Sequence, residues 1–410
     1  MSTVPCAEYG SSPPVAGPGR GGDERGAPYV QLWLACLMGF CAIGMTMQVM
    51  PAYAQERFGA GSIAAGLAVT IGSLATMFAR PVSGRLADQL GGRSVAMVGA
   101  VLGLTGGIGH ILAANLPELL LARLLLGAGE GALFTGAVGW VLDYANPLLR
   151  GKVAGHFGLS MWMGLASGPI LGGALLAATS YRAVWIAASV VSVLACGLVA
   201  STRSDSRVRV DDVPMRRALI PKVARAPGAS GVFASIGYGV IVAFLVPRFV
   251  ALDFQWRNLA LGAFGLAFIV ARYVGSGYAD RFGATRVLLC AYLVESAGLA
   301  GLFVTRSEGV AFVSTAVVGA ALSMLIPSVT SLVTSAADPR ERTAALGSVT
   351  SAWDLGIAVG GPLGGVVAGV SDAGPFALGA VAALIAIAPL AGARRRAVAE
   401  RSATCIGTSK

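Results

Sequence analysis

The chain has 410 residues, 55% of them hydrophobic and only 12% charged, with 57 glycines and a formal net charge of +10. That balance excludes a water-soluble α-protein, whose helices carry a polar stripe at the 3.6-residue period, and requires lipid as the main solvent. The positive charge sorts to one set of loops, so it is no nucleic-acid footprint and no nucleic-acid partner is expected.

Residues 1–28 are rich in Gly, Pro and Ser and read as a disordered tail, not as a cleavable signal peptide, because the first apolar run starts late and is long enough to span. Uncharged runs of bilayer length fall at about 30–55, 58–79, 94–117, 153–181, 183–202, 226–247, 309–337 and 373–393. Four more, at about 118–142, 258–276, 286–305 and 343–371, hold one or two ionisable residues. The expectation is an all-α integral membrane protein of twelve transmembrane helices. It divides into a six-helix half over 29–202, a basic linker over 203–228, a second six-helix half over 229–394 and a tail over 395–410.

Of the 30 Lys and Arg residues, only Arg57, Arg182, Arg248, Arg257 and Arg306 fall in one set of loops, while Arg80, Arg123 and Arg272 lie in or near spans. The rest fall on the opposite side, which by the positive-inside rule puts both termini in the cytoplasm of a cell with this chain in its plasma membrane. The six cysteines show no metal or redox spacing and read as reduced thiols.

The two halves repeat each other. ARPVSGRLADQLG at 79–91 returns 192 residues later as ARYVGSGYADRFG at 271–283. The same offset relates Asn146, Pro147 and Arg150 to Asp338, Pro339 and Arg342, and Gly127 to Gly319; Pro169 answers to Pro362 with one residue of slippage. Landmarks kept in order at one offset mark an internal duplication.

After the second span the chain reads Gly84, Leu86, Ala87, Asp88, Gly91 and Arg93, and after the eighth Ala279, Asp280, Arg281, Gly283 and Arg286. This resembles the G-x-L-A-D-R-x-G-R-[KR] signature of the major facilitator superfamily, over essentially residues 29–394. The first copy departs from the signature at Gln89 and Gly92, the second at Ser276. The resemblance implies two six-helix bundles that rock about a midplane site by alternating access. It also implies a cytoplasmic gate in which Asp88 latches near Thr343 to Ala345, at the positive end of a helix, and Asp280 faces Lys152 to Ala154. Arg93 would pair with Asp143. The fifth span carries Gly164, Gly168, Pro169, Gly172 and Gly173, similar to the antiporter motif of twelve-helix proton-coupled exporters; small residues four apart permit close helix approach. The Trp353-Asp354 pair with Gly356 is similar to a subgroup of arabinose-efflux-type permeases.

Ionisable residues at membrane depth are costly and face a cavity or a partner. In the fourth span Arg123 and Glu130 lie seven residues apart on one face, with Gly127 between them. By resemblance Arg123 lines the central cavity and assists proton transfer; snorkelling to the headgroups is its structural alternative. Glu130 reads as a proton-coupling group or the partner of a neighbouring helix. Asp354, whose equivalent in the first half is Trp162, reads as the other coupling carboxylate, because a carboxyl group kept from water favours its neutral form. Glu295 in the ninth span reads as structural. The substrate cavity is expected along Met45, Gln48, Tyr238 and Met324, adaptable side chains suited to an amphipathic ligand.

No G-x-x-x-x-G-K-[ST] loop occurs, which argues against a nucleotide-driven pump. The two histidines are scattered, and no nucleophile or metal set points to an enzyme. The reading is a monomeric secondary transporter, driven by protons without a cofactor, exporting a small drug, metabolite or natural product. Proton-coupled import of a small metabolite is the alternative.

Overall fold

The computed structural model of the chain describes residues 28–145, 150–202, 221–275, 277–337 and 342–393, without the side chains of Asp88, Arg150, Lys152, Asp280, Arg342, Thr343 and Ala344. Residues 1–27, Asn146, Pro147, Ser276, Asp338, Pro339, most of the linker and the tail lie outside the described residues. The first half comprises α1 (Tyr29–Phe58), α2 (Ser62–Leu90), α3 (Gly92–Leu112), α4 (Leu116–Tyr144), α5 (Arg150–Ala178) and α6 (Tyr181–Ser201). The second comprises α7 (Lys222–Ala251), α8 (Ala260–Val274), the short α9 (Tyr278–Phe282), α10 (Ala284–Val304), α11 (Glu308–Ser323), α12 (Leu325–Ala336), α13 (Arg342–Ala368) and α14 (Gly374–Ile385).

Among the described residues, 11 segments are long and apolar enough to cross a bilayer, with α11 and α12 counted as one. The 27-residue α13 completes the twelve expected spans; its glycines and Asp354 dilute its hydropathy. Large apolar side chains such as Leu121, Val193, Val270, Leu293 and Val313 point outward, as befits a surface solvated by lipid.

Three local features differ from the expectation. First, α7 begins at Lys222, inside the stretch read as linker. An apolar run marks the bilayer-facing length, whereas helical hydrogen bonding continues past it into the basic turn. Second, the repeated motif is not a turn throughout. The first copy stays helical to Leu90, and the chain turns only at Gly91, with φ of 84°. The second copy leaves the helix after Val274, resumes as α9 and turns at Gly283, with φ of 89°. This left-handed backbone is why glycine recurs at both positions.

Third, the tenth apolar run breaks at Met324 into α11 and α12. Pro327 has no N–H to give the carbonyl four residues earlier, that of Ser323. Arg272 supplies the missing donor: its Nη1 lies 2.9 Å from the Ser323 oxygen. The break is thus capped by a side chain from α8.

Glycine faces set the helix spacing. A methyl group on Gly164, Gly168 or Gly172 would overlap the backbone of α1 at Leu37, Cys41 or Met45 respectively, so α5 seats directly on α1. In the second half Gly356 and Gly360 seat α13 on α7 at Val232 and Ile236 in the same manner. These stripes bind helices within each half.

The halves meet along two pseudo-equivalent seams, α5 against α8 and α13 against α2. Their contacts run from the face opposite the termini towards mid-depth. Gly66 meets Gly361 and Ile63 meets Gly365 on one seam; Gly265 meets Ala166 and Gly262 meets Ile170 on the other.

Candidate functional site

At mid-depth the two seams carry different chemistry. Along α5–α8 the indole of Trp162 stacks on Phe268, with ring centroids 3.9 Å apart and planes 27° apart. Tyr238 from α7 stands edge-on to Trp162 at 6.5 Å and tilted against Phe264 at 5.7 Å. These rings, with Met47, Leu165, Ala166, Pro169, Val242, Leu261 and Gly265, line a narrow pocket whose cavity volume is about 20 Å³, closed down to roughly the space of one water in this state. The phenol of Tyr238 is the main polar group in an otherwise apolar and aromatic wall, the composition typical of small-molecule sites.

The α2–α13 seam is polar. Thr70 Oγ1 donates across it to the carbonyl of Ala358 at 3.2 Å. Deeper, Arg80 Nε lies 3.1 Å from Asp354 Oδ2. Neither atom makes a hydrogen bond of good geometry, so the contact is an ion pair without an aligned N–H. Asp354 is 6% exposed. The Arg80 guanidinium also sits over the Phe134 ring, 5.9 Å from its centroid, a cation–π contact with α4.

Arg123 is buried in the first half. Its Nε and Nη2 reach the carbonyl of Val69 at 3.3 and 3.1 Å, and its Nη1 donates to Thr46 Oγ1 at 2.6 Å. Thr46 in turn donates to the Ile43 carbonyl. The guanidinium therefore ties α4 to α1 and α2 and points inward; the snorkelling alternative does not describe it. Thr76 repeats the α2–α4 tie, donating to the carbonyl of Gly127 at 2.9 Å. Gly127 itself packs on Gly72.

Glu130 is half-buried and borders a small cleft with Gly39, Gly99, Gly103 and Leu133. It lies within electrostatic reach of Arg80, Asp354 and Arg123. The three ionisable residues singled out from the sequence are thus brought into one neighbourhood, with Arg80 joining them. From the sequence alone Arg80 reads only as a charge near a span. Its signal was present in the repeat, as an arginine inside an apolar stretch that returns as Arg272.

The expected cavity residues divide. Tyr238 lines the seam pocket, whereas Met45, Gln48 and Met324 are absent from its lining. Met45 packs on Gly172, Gln48 faces Gly173, and Met324 fills the space beside Gly275. Met47, Trp162, Phe264 and Phe268 take their place. In the sequence Trp162 stands out only as the counterpart of Asp354.

At the gate, Gly84 and the backbone of Asp88 belong to the last turns of α2, and Gly91 and Gly283 are the turn residues. Arg93 donates to the carbonyls of Thr202 and Ala200 at 3.0 and 3.3 Å, closing α3 onto the end of α6. Asp143 is exposed in the last turn of α4, and Arg281 stacks over Phe282. The latch contacts proposed for Asp88 and Asp280 depend on side chains outside those described. Glu295 on α10 is fully buried against Gly237 of α7, outside both seams.

The family model described as Major Facilitator Superfamily matches residues 32–257 and again 227–404. The chain is 28% identical over 386 residues to the uncharacterized MFS-type transporter YhhS of Escherichia coli, covering 92% of this chain and 94% of that one. It is 27% identical over 341 residues to an uncharacterized MFS-type transporter of Salmonella typhimurium, covering 81% and 87%. Among solved structures it resembles a bacterial homolog of the human lysosomal transporter Spinster, in an inward-facing and occupied conformation. The TM-score there is 0.71 at 16% identity, with 90% of this chain and 96% of that one covered. It also resembles the human organic anion transporter TETRAN, with a TM-score of 0.64 at 17% identity and coverage of 88% and 98%. These likenesses fix the fold. The chain belongs to the Major Facilitator Superfamily: it is a multi-pass membrane transporter of small molecules, not an enzyme, and it works without a cofactor.

Proposed function

We propose that the chain is a proton-coupled exporter of a small amphipathic compound, working as a monomer with both termini in the cytoplasm. The observation that carries this reading is the juxtaposition, at one depth between the halves, of an aromatic pocket and a buried set of charges. The pocket around Trp162, Tyr238 and Phe268 offers stacking and apolar contact with a single hydroxyl for orientation. Such a wall suits a ligand with a flat apolar body and few polar groups. Beside it, Glu130 and Asp354 are the carboxylates placed to take a proton, and Arg80 and Arg123 are the cations placed to oppose it.

Closure of both seams on the face opposite the termini supports an inward-facing state on this topology, with the substrate path open towards the cytoplasm. In that state the Asp88 and Asp280 latches would be released, and they would engage on the outward swing. The fifth-span glycines hold α5 rigidly on α1, so the first half moves as one body. Export over import rests on the likeness of Gly164 to Gly173 to the antiporter motif.

The test is proton release from acidified everted vesicles. Addition of a panel of amphipathic compounds should collapse the pH gradient for at least one compound in vesicles carrying the wild type. Glu130→Gln and Asp354→Asn should each abolish that response while binding of the compound persists. Normal coupling in both variants would sink the proton assignment. Compound-driven movement of protons in the same direction as the compound would establish import.

A further inference from the structure

Arg80 has two acidic claimants, and they lie in different halves of the molecule. Asp354 of α13 holds it now, 3.1 Å away. Three contacts place Glu130 of α4 on its other side. Gly131 packs against Ala79 and Thr76 of α2. The Arg80 guanidinium lies over Phe134. Glu130 directly precedes Gly131 and stands four residues before Phe134, a spacing that puts neighbours on one helix face. We propose that Arg80 is the moving cation of the transporter, paired with Asp354 when the halves are joined at mid-depth and with Glu130 when they part there.

The alternatives for this role are committed elsewhere. Arg123 is bound to the Val69 carbonyl and to Thr46. Arg272, the duplicate of Arg80, is held on the Ser323 carbonyl that Pro327 leaves unpaired. In the first half the position equivalent to Pro327 is Thr135, whose N–H serves α4, and α4 runs unbroken from Leu116 to Tyr144. No carbonyl there requires a side-chain donor, so Arg80 remains available to cross the seam.

The other titratable groups near this seam include the phenol of Tyr238 on α7, the thiol of Cys36 on α1 and His110 of α3, with Lys222 and Arg225 on the first turn of α7 towards the termini. Further along α2 lie Arg85 and Asp88, towards the termini. The helices α12 and α14, which also pack on α13, carry no titratable residue. A proton arriving from water on a carboxylate oxygen of Asp354 cancels the charge that holds Arg80. Glu130 is then the remaining carboxylate in reach. The proton returns to water when Arg80 comes back to Asp354. Exchange of one cation between two acids, one in each half, converts protonation into release of the seam. This inference rests on the reading of Asp354 as the proton site, and it adds the cation that makes its protonation mechanical.

The test measures conformation without substrate or gradient, so it stands apart from whether protons drive transport. Nitroxide labels at Gly61 and Ser371, on a cysteine-free background in lipid nanodiscs, report the separation of α2 from α13 by pulsed EPR. In the wild type the ratio of two distance populations should change roughly tenfold between about pH 5.5 and about pH 8.5. Arg80→Lys should retain that change. Arg80→Gln and Asp354→Asn should each abolish it, Asp354→Asn holding the low-pH population at both pH values, and the double variant should match Arg80→Gln alone. Glu130→Gln should suppress the population seen at low pH. A wild-type ratio independent of pH, a full response in Arg80→Gln, or effects that add in the double variant would each overturn the proposal. If Arg80→Gln fails to insert, Asp354→Asn and Glu130→Gln decide the question.

Discussion

The α5–α8 seam and the α2–α13 seam occupy equivalent places in a duplicated molecule, yet one is apolar and aromatic and the other is polar and charged. Trp162 and Asp354 stand at the same position of the two copies, 192 residues apart; one stacks on Phe268 and the other pairs with Arg80. Close glycine approaches on the face opposite the termini are common to both seams. Duplication therefore supplied the geometry of a hinge, and divergence at mid-depth divided its chemistry. An apolar surface gives a ligand contact without directional cost. A buried ion pair gives a contact whose strength depends on one proton, because removing either charge leaves the other uncompensated.

The largest test of this division lies on the aromatic side. Trp162→Ala removes a stacked indole from the aromatic seam and should cost about 3 kcal/mol or more of stability, read by thermal unfolding in detergent. It should also weaken ligand binding, whereas Trp162→Phe should keep most of both. A ligand affinity unchanged in Trp162→Ala would place the substrate elsewhere.

Next comes the anchor of the polar side. Arg123→Ala strips donors from the Val69 carbonyl and Thr46 and should destabilise by about 3 kcal/mol, since hydrogen bonds from charged groups are worth roughly 1.5–3 kcal/mol. Glu130→Gln should be far milder in the same unfolding assay, because on the proposed reading Glu130 serves the seam more than the packing of its own half. Equal losses would show that Glu130 is structural.

The contrast between Arg80 and Arg272 gives a sharper test of intermediate size. Arg272→Gln leaves the Ser323 carbonyl without a donor and should cost about 1–3 kcal/mol. Adding Pro327→Ala restores a backbone N–H to that carbonyl, so the double variant should recover much of the loss. Recovery absent from the double variant would mean that Arg272 is not tied to the break. The smallest effect is expected from Thr70→Val, which deletes one hydrogen bond across the polar seam. About 0.6 kcal/mol is typical for such a bond between membrane helices, and a change in opening rate is a more sensitive readout than stability.

Much of this fold was legible in the residues. Twelve apolar segments and the 192-residue offset reported the spans and the two halves, because burial in lipid demands long uninterrupted apolar helices. Glycines four apart announced close packing, though not which helix they would meet; Gly164, Gly168 and Gly172 turned out to bind α5 to its own half. Arg123, Glu130 and Asp354 stood out because charge at membrane depth is costly. The cavity residues were legible only in part. Met45 and Met47 differ by two positions on a helix whose apolar residues surround it, and periodicity cannot tell which faces the seam.

Twelve spans, two copied halves and the ionisable groups within the spans can all be read along the chain. These follow from one-dimensional properties, namely hydropathy, repetition and charge. That Arg80 crosses to Asp354 while its duplicate Arg272 is held at home emerges from packing in three dimensions. That choice depends on whether a carbonyl on a neighbouring helix has lost its donor, and a proline 55 residues further along the chain than Arg272 controls it through space.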